Sequence, residues 1–190
     1  AGKYISNFLF SKKDANNGQI KIAKDESLRA EAYHLKIKPD GVTISASDEN
    51  GAFYGVVTLK IMIMQSKTSN GVAVVNCSEI YDYPKFSYRG EMMDEARHFY
   101  GVDAVKRALD EMAMLKLNKF HWHLCDDQGY RIESEVFPLL NEIASKRKYE
   151  LLGGAEILSK IPGLQKGGNE YFHYYKKEEI REIVEYAKNL

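Results

Sequence analysis

Apolar and polar positions alternate with a period of two in the first part of the chain, which is typical of half-buried β-strands. An alternating run at residues 33–37 is followed by Pro39, Asp40 and Gly41, which favour a turn, and by a second alternating run at residues 42–46. Two such runs joined by turn residues predict a β-hairpin.

The spacing becomes helical at residues 52–65, where apolar side chains form one broad stripe. Asp48 and Glu49 stand just before this stripe, and we interpret them as a turn and helix start, because Asp side chains accept hydrogen bonds from nearby backbone N–H groups. A further strand is predicted at residues 71–80. Together these elements predict a small α+β domain over residues 1–83.

A different order of elements follows Tyr83 and Pro84, with strand, helix, strand, long loop and helix in succession. We predict strands at residues 86–96 and 119–125, a helix between them capped by Asp103, a connection from about residue 148 to 173 and a last helix at residues 177–189. Helices alternating with strands indicate a parallel sheet, so residues 84–190 are predicted to form an α/β domain. The apolar face of the first helix is predicted at Val105, Ala108, Leu109, Met112 and Leu115.

Composition excludes several classes of partner. The chain has 190 residues, of which 44% are hydrophobic, and its 27 Lys and Arg balance 27 Asp and Glu. A neutral chain provides no general attraction for nucleic acid or an anionic membrane.

The longest apolar run, at residues 56–64, is far shorter than the roughly 20 residues of a membrane-spanning helix. Cys77 and Cys125 are too few and too distant for a metal motif or a disulfide framework, and we expect no signal peptide in this sequence.

Polar residues are concentrated between Arg89 and Arg131 more densely than core packing requires. In a parallel β/α barrel the functional side chains gather at the carboxyl ends of the strands, where two groups of these residues fall. One explanation is a carbohydrate-processing site, and the other is that Arg97 only pairs with Asp94 or Asp126 to satisfy buried charge. The residues concerned are Asp94, Arg97, His98, His121, His123, Asp126 and Asp127.

Several segments resemble the family-20 glycoside hydrolases, the β-N-acetylhexosaminidases. They read GAFYGVVTL at residues 51–59, RGEMMDEARHFYG at residues 89–101 and KLNKFHWHLCDDQGYRIE at residues 116–133, with weaker matches at residues 137–147 and 178–188. Their order and spacing follow the family along the chain. The resemblance implies an N-terminal α+β domain followed by a (β/α)8 TIM barrel, which is an α/β fold.

The resemblance also implies that the chain is a fragment. Such a barrel takes about 250 residues, whereas about 105 follow residue 85, so only the first two β/α units of an incomplete barrel are expected. The family's catalytic Asp-Glu pair would lie beyond the chain, at the end of a fourth strand. We therefore assign no catalytic residue, expect no activity of the chain alone, and give the adjacent Asp94 and Glu95 no acid role. Asp94 is expected to be a structural carboxylate near the barrel floor.

Two substrate-binding residues are implied by the same resemblance. Arg97 matches the position that binds sugar hydroxyls, for which a fixed fork of donors is suited. Asp126 resembles the carboxylate that supports the catalytic acid through a histidine, and His123 and Asp127 are expected to brace the loop and strand. Alternation along the strand does not choose between Asp126 and Asp127, and only the resemblance favours Asp126.

The implied reaction is retaining hydrolysis of terminal N-acetylglucosamine or N-acetylgalactosamine, in which the acetamido oxygen of the substrate replaces an enzyme nucleophile. It requires no cofactor and no metal, and glycans containing N-acetylhexosamine would be the partners. Two alternatives are a truncated sugar-binding or scaffolding module, and a complete small enzyme that uses Asp94, Glu95, Asp126 and Asp127. Unpaired barrel edges would favour self-association. The family resemblance suggests a periplasmic, extracellular or lysosomal protein without choosing among these compartments.

Overall fold

The computed structural model describes residues 19–69, 72–147 and 171–190. The chain divides into two compact units, Ala1–Ser87 and Tyr88–Leu190. The long connection predicted from about residue 148 to 173 falls mainly on residues 148–170, which lie outside the described residues. Within the described residues, none of the helices combines the length and the apolar character needed to cross a membrane.

A four-stranded sheet forms the centre of the first unit. In sequence order the strands of this unit are β1 (Gln19–Lys24), β2 (Tyr33–Lys38), β3 (Gly41–Ala46), β4 (Lys67–Ser69), β5 (Val72–Val74) and β6 (Ser78–Asp82). The sheet has the order β1-β3-β2-β6, with β1 parallel to β3 and the other pairs antiparallel, while β4 and β5 form a separate pair. The predicted hairpin is confirmed as β2 and β3. The strand predicted at residues 71–80 is instead two strands, β5 and β6.

Helix α1 (Glu49–Gln65) packs on one face of this sheet. The alternation of β2 turns Tyr33, Leu35 and Ile37 into the core, where they meet Val56 and Leu59 of the helix. Gly51 allows the first turn to approach the preceding loop, because a Cβ atom there would lie 2.3 Å from the carbonyl oxygen of Ala32. The predicted helix is confirmed, and it begins three residues earlier than its apolar stripe.

The second unit contains a parallel βαβ unit. Strand β7 (Gly90–Asp94) lies beside β8 (Lys119–His123), and α2 (Val102–Met114) connects them. The predicted parallel pairing is confirmed, although β7 is shorter than the predicted strand at residues 86–96. The later elements are the hairpin of β9 (Cys125–Asp126) and β10 (Gly129–Tyr130), a π-helical turn at Leu140–Ala144, the antiparallel pair β11 (Lys146–Arg147) and β12 (Tyr171–Phe172), and α3 (Lys177–Lys188).

Helices α2 and α3 cover one face of the β7-β8 pair. Their core is formed by Val105, Leu109, Met112, Tyr175 and Ile183, and Phe120 and Trp122 of β8 pack against it. Two details of the predicted α2 are wrong. Gly101, with φ of 82°, precedes the helix in place of an Asp103 cap, and Leu115 is exposed because the helix ends at Met114.

The other face of the pair carries the polar side chains of the strands. Because Phe120 and Trp122 point to the helices, alternation turns His121 and His123 the opposite way, and their rings lie 6.0 Å apart. The register places Met92 beside His121 and Asp94 beside His123. In a β/α barrel this face is the interior, and its carboxyl end is where a site is expected.

Removing the amino-terminal cap of α1, Asp48, tests how much this cap stabilises the first unit. Asp48 accepts hydrogen bonds from the backbone N–H of Gly51 and of Glu31, both at 2.8 Å. We expect Asp48→Ala to lower the free energy of unfolding by about 1–2 kcal/mol, because both donors lose their acceptor. Denaturant titration followed by circular dichroism measures the change. Asp48→Asn, which keeps one acceptor oxygen, should lose much less, and equal losses would contradict a capping role.

Candidate functional site

Four polar side chains meet at the carboxyl ends of β7 and β8. Arg97 Nη1 lies 3.0 Å from Asp94 Oδ2 and 2.8 Å from Asp126 Oδ2. His123 Nε2 lies 2.9 Å from the same Asp126 oxygen and 3.1 Å from Arg97 Nη1. The structure therefore brings together Arg97, His123 and Asp126, which the sequence analysis had singled out on two separate strands.

The chain reaches this arrangement by bending directly after β8. Leu124 separates β8 from the short β9-β10 hairpin, and this bend returns Asp126 to the side of His123, three residues earlier. Asp127 is exposed, and its backbone N–H donates to Asp126 Oδ1 over 2.7 Å. Strict alternation would have turned Asp126 away from His123. The hairpin removes that constraint, which the residue pattern could not reveal.

Asp126 is held in its ionised form. The backbone N–H of Asp127 is the largest cause, and the His123 side chain, an Asp127 side-chain bond and the Arg97 charge add to it, so that the pKa of Asp126 falls to about 2. A carboxylate bound in this way accepts hydrogen bonds throughout the neutral pH range. When His123 Nε2 carries a proton it donates to Asp126, and the other tautomer accepts from Arg97.

The ion pairs of this cluster are not buried in a dry core. The Arg97 side chain is 38% exposed and that of Asp126 is 30% exposed. Arg97 pairs with both Asp94 and Asp126, so the pairing considered in the sequence analysis is confirmed. The side chains are too exposed for buried charge alone to require this pairing. Among the described residues Nη1 makes all the side-chain contacts of Arg97, which leaves Nε and Nη2 available as donors.

Asp94 was expected near the barrel floor, and this is wrong. It is the last residue of β7, at the carboxyl end, where its Oδ1 accepts from the Arg97 backbone N–H over 3.2 Å and its Oδ2 pairs with the guanidinium. The chain turns immediately after the strand, so residues three apart face each other. Asp94 thus fixes both the backbone and the side chain of Arg97.

Glu95, the next residue, points into the helix-covered core and is fully buried. Its Oε1 accepts from the Tyr175 hydroxyl at 2.6 Å and from Trp122 Nε1 at 3.4 Å, and its Oε2 accepts from the Tyr100 backbone N–H at 2.8 Å. Burial raises the pKa of Glu95, and the hydrogen bonds from Tyr175, Tyr100 and Trp122 together with the Arg131 charge oppose that rise.

Arg131 is also fully buried, and its hydrogen bonds hold the backbone next to the site. Its guanidinium donates to the backbone carbonyls of Glu95 at 3.0 Å, Ala96 at 3.1 Å, Ser145 at 2.9 Å and His173 at 3.0 Å. Two of these carbonyls belong to the turn between Asp94 and Arg97. The side chain therefore ties the Arg97 turn to the end of the π-helical turn and to the segment before α3.

The sequence analysis did not predict that Glu95, Arg131 and Tyr175 form one buried network. Its contacts join residues 36 and 80 positions apart, so no local pattern marks them. Gly129 gave a weak signal, because a Cβ atom there would lie 2.7 Å from the Arg131 guanidinium carbon. Within the described ranges, no group of three or more His, Cys, Asp or Glu is arranged to hold a metal ion.

Comparison with protein families gives two matches. The model of glycosyl hydrolase family 20, catalytic domain, matches residues 86–190, and that of glycosyl hydrolase family 20, domain 2, matches residues 4–83. Among curated relatives, a β-hexosaminidase of Porphyromonas gingivalis is 38% identical over 166 residues, which are 85% of this chain and 19% of that protein. A chitooligosaccharidolytic β-N-acetylglucosaminidase of Bombyx mori is 33% identical over 190 residues, with 98% and 27% covered. The chain thus spans about a fifth to a quarter of the length of these two relatives.

Solved structures show the same likeness. An exo β-N-acetylglucosaminidase of family 20 from Vibrio harveyi, in complex with N-acetylglucosamine, has a TM-score of 0.78 at 30% identity and covers 98% of this chain and 28% of its own. A Streptomyces plicatus β-hexosaminidase mutant in complex with the same sugar has a TM-score of 0.77 at 33% identity and covers 98% and 36%. The predicted fold class, an α+β domain followed by the first two units of a TIM barrel, is confirmed.

Glu95 generates a prediction about pH. Its pKa is raised in the folded state, so the stabilisation it contributes is complete below the unfolded pKa and is lost as pH rises through the folded pKa. Glu95→Gln imitates the protonated form. We therefore expect the free energy of unfolding of the wild type to fall relative to that of Glu95→Gln as pH rises from about 4 to about 7.

Urea unfolding followed by the fluorescence of Trp122, the single tryptophan, measures this difference. Glu111→Gln, which removes an exposed carboxylate from α2, is the control and should retain the pH dependence of the wild type. Parallel pH profiles for the wild type and Glu95→Gln would show that the burial of Glu95 has no energetic consequence.

Proposed function

The chain belongs to glycosyl hydrolase family 20, and from this premise we propose that it is the amino-terminal part of a β-N-acetylhexosaminidase. The reaction of the whole enzyme is the hydrolysis of terminal N-acetylglucosamine or N-acetylgalactosamine from glycans. The observation that carries the proposal is the anchoring of Arg97 between Asp94 and Asp126 at the carboxyl ends of two parallel strands. This is the end of a β/α barrel at which substrates bind.

The proposed role of Arg97 is to bind two neighbouring hydroxyls of the non-reducing sugar. Two carboxylates hold Nη1, which fixes the plane of the guanidinium. The remaining donors, Nε and Nη2, project in a rigid fork that matches vicinal oxygen atoms. A partly exposed position allows a neutral sugar to reach these donors without the desolvation of a second charge.

The proposed role of Asp126 is to accept a hydrogen bond within the same sugar pocket, either from the substrate or from the histidine that orients the catalytic acid. Its low pKa keeps it an acceptor at neutral pH. His123 and Asp127 support it, the first through its ring and the second through its backbone N–H. The contacts of Asp126 with Arg97 and His123 favour it over Asp127 as the pocket residue.

Catalysis in the whole enzyme is proposed to be substrate-assisted. The acetamido oxygen of the substrate attacks the anomeric carbon, an Asp orients that acetamide, and a Glu protonates the leaving oxygen, with retention of configuration. We propose that this Asp-Glu pair lies outside residues 1–190, so that the chain alone binds sugar weakly and does not hydrolyse it. A sugar-binding module without hydrolase activity is the second candidate, because Asp94, Arg97, His123 and Asp126, here called the Arg97 cluster, all lie within the described residues.

The proposed domains are residues 1–83 and 84–190. The division of the chain after Ser87 and the family matches that end at residue 83 and begin at residue 86 support this boundary. The residues named for the proposed sugar pocket all follow Tyr88.

The sugar pocket is tested by titrating the chain with N-acetylglucosamine in two-dimensional NMR. We expect shifts centred on the Arg97 cluster and an affinity about tenfold lower for Arg97→Ala, because a charged hydrogen-bond donor is lost. Arg181→Ala, which removes an exposed arginine of α3, is the control and should bind as the wild type does.

The same variants are then assayed with a chromogenic N-acetylglucosaminide. Absence of turnover is expected for the chain. Turnover would instead support the complete small enzyme with its own carboxylate set, and equal sugar binding by Arg97→Ala and the wild type would contradict the proposed pocket.

We also propose that the chain self-associates through its barrel unit. In the described residues β7 pairs only with β8, so each strand leaves one edge with unpaired backbone groups. Exposed apolar side chains add to this tendency in the same unit, namely Met92, Val136, Phe137, Leu139 and Ile143.

Light scattering over a range of concentrations should therefore give a mass that rises above 21.7 kDa. Phe137→Glu, at a side chain that is 65% exposed, should lower that mass, because burying a charge opposes association. Val72→Glu, at a site 64% exposed in the first unit, is the matched control and should leave the mass unchanged. A monomer at every concentration would refute self-association.

A further inference from the structure

The face of the first sheet opposite α1 carries His34 and Tyr81, and two planar side chains outside the strands, Tyr83 and Arg29, continue a row from Tyr81. His34 and Tyr81 are cross-strand neighbours with ring centroids 6.3 Å apart, and the Tyr81 and Tyr83 rings are 5.9 Å apart. The Arg29 guanidinium lies 3.9 Å from the centre of the Tyr83 ring. We call His34, Tyr81, Tyr83 and Arg29 the aromatic row.

The two tyrosines of the aromatic row are exposed although their rings are large and partly apolar. Tyr81 is 50% exposed and Tyr83 is 42% exposed. The core of this unit does not need them, because it is built from the opposite side of β2 and β3 together with α1. Two adjacent tyrosines left open to solvent on a sheet face are typical of a binding surface, since their rings offer apolar area with a polar edge.

The positions of the rings are fixed by the fold. Tyr81 is paired in register with His34 across β6 and β2, which sets its direction. Asp82, between the two tyrosines, accepts a hydrogen bond at 2.8 Å from the hydroxyl of buried Tyr33, which anchors the end of β6. Arg29 covers one side of the Tyr83 ring. Fixed rings lose little conformational freedom when a ligand binds, and this favours affinity.

The charges around the row are compensated locally. Glu79 lies 2.8 Å from His34 Nε2 and 3.1 Å from Lys36 Nζ, and it is the neighbour of Tyr81 on the sheet. Glu79 compensates the charge of Lys36, and the one further cation of the row, Arg29, provides too little positive charge to favour a phosphate backbone or an anionic lipid. The complementary ligand is therefore a neutral molecule with apolar faces and many hydroxyl or amide groups.

We propose that the aromatic row binds a neutral chain of N-acetylhexosamine units, as a glycan-binding surface additional to the Arg97 cluster. The C–H faces of successive pyranose rings pack against Tyr81 and Tyr83, and hydroxyl and acetamide groups bond to the polar side chains of His34, Lys36 and Glu79. The choice of sugar rests on the proposed function, whereas the surface itself rests on the exposed rings and their neutral surroundings. Such a surface contacts several units of a sugar polymer, whereas the pocket at Arg97 contacts only the terminal unit.

The test uses the chain with Arg97→Ala, in which the sugar pocket binds more weakly, and a soluble hexamer of N-acetylglucosamine as the ligand. Calorimetry should detect binding, and Tyr81→Ala and Tyr83→Ala should each weaken it about fivefold, which is the scale of one aromatic contact. Tyr81→Leu, which keeps an apolar side chain in the strand, should weaken it to a similar extent and so separates ring contact from folding. Tyr88→Ala, at an exposed tyrosine of the second unit, is the control and should have no effect.

The two proposals fail in different ways. Hexamer binding that persists in all the Tyr81 and Tyr83 variants overturns the glycan-binding surface, whatever the monosaccharide does at Arg97. Absence of hexamer binding in the Arg97→Ala chain also overturns it. A concentration-dependent dimer that is abolished by Tyr81→Ala would assign the row to a second copy of the chain and likewise refute the proposal.

Discussion

The candidate site depends on the burial of Arg131. A guanidinium removed from water is strongly destabilising unless its donors find acceptors, and here four backbone carbonyls accept from it. Those carbonyls come from three separate segments: the Arg97 turn, the end of the π-helical turn and the segment before α3. Satisfying one buried cation therefore fixes the path of the chain at the carboxyl ends of β7 and β8.

Two adjacent carboxylates acquire different roles through the direction of their side chains. Asp94 faces the open side of the strands and holds Arg97, while Glu95 faces the helices and accepts from Tyr175 and Trp122. Burial raises the pKa of Glu95, whereas the neighbouring hydrogen-bond donors of Asp126 lower its pKa. The partly exposed, ionised Asp126 and its partner Arg97 thus lie close to a buried carboxyl group, Glu95, that stabilises the ends of the strands.

The two units expose different kinds of surface, which suggests a different binding role for each in a protein of this family. The barrel unit holds Arg97 at the proposed sugar pocket, and the α+β unit exposes aromatic rings on a sheet where Glu79 compensates the charge of Lys36. Both surfaces suit a neutral, hydroxyl-rich ligand, and neither provides the positive field that nucleic acid requires. This agreement between separate parts of the chain supports the proposal that the whole protein acts on carbohydrate.

The sequence by itself determined the order of elements and the strands that carry the polar groups. Period-two alternation predicted β2 and β3, helical spacing predicted α1 and α2, and the position of Arg97 and Asp126 after successive strands predicted that they would lie close together. These features are local, because they follow from which face of a strand or helix a residue occupies. The tertiary structure alone decided that Asp126 turns back to His123, that Asp94 and Asp126 both pair with Arg97, and that Glu95, Arg131 and Tyr175 form one buried network. The network depends on contacts between residues 36 and 80 positions apart, and the turns of the chain after β7 and β8 bring residues three apart together. No local pattern encodes either feature.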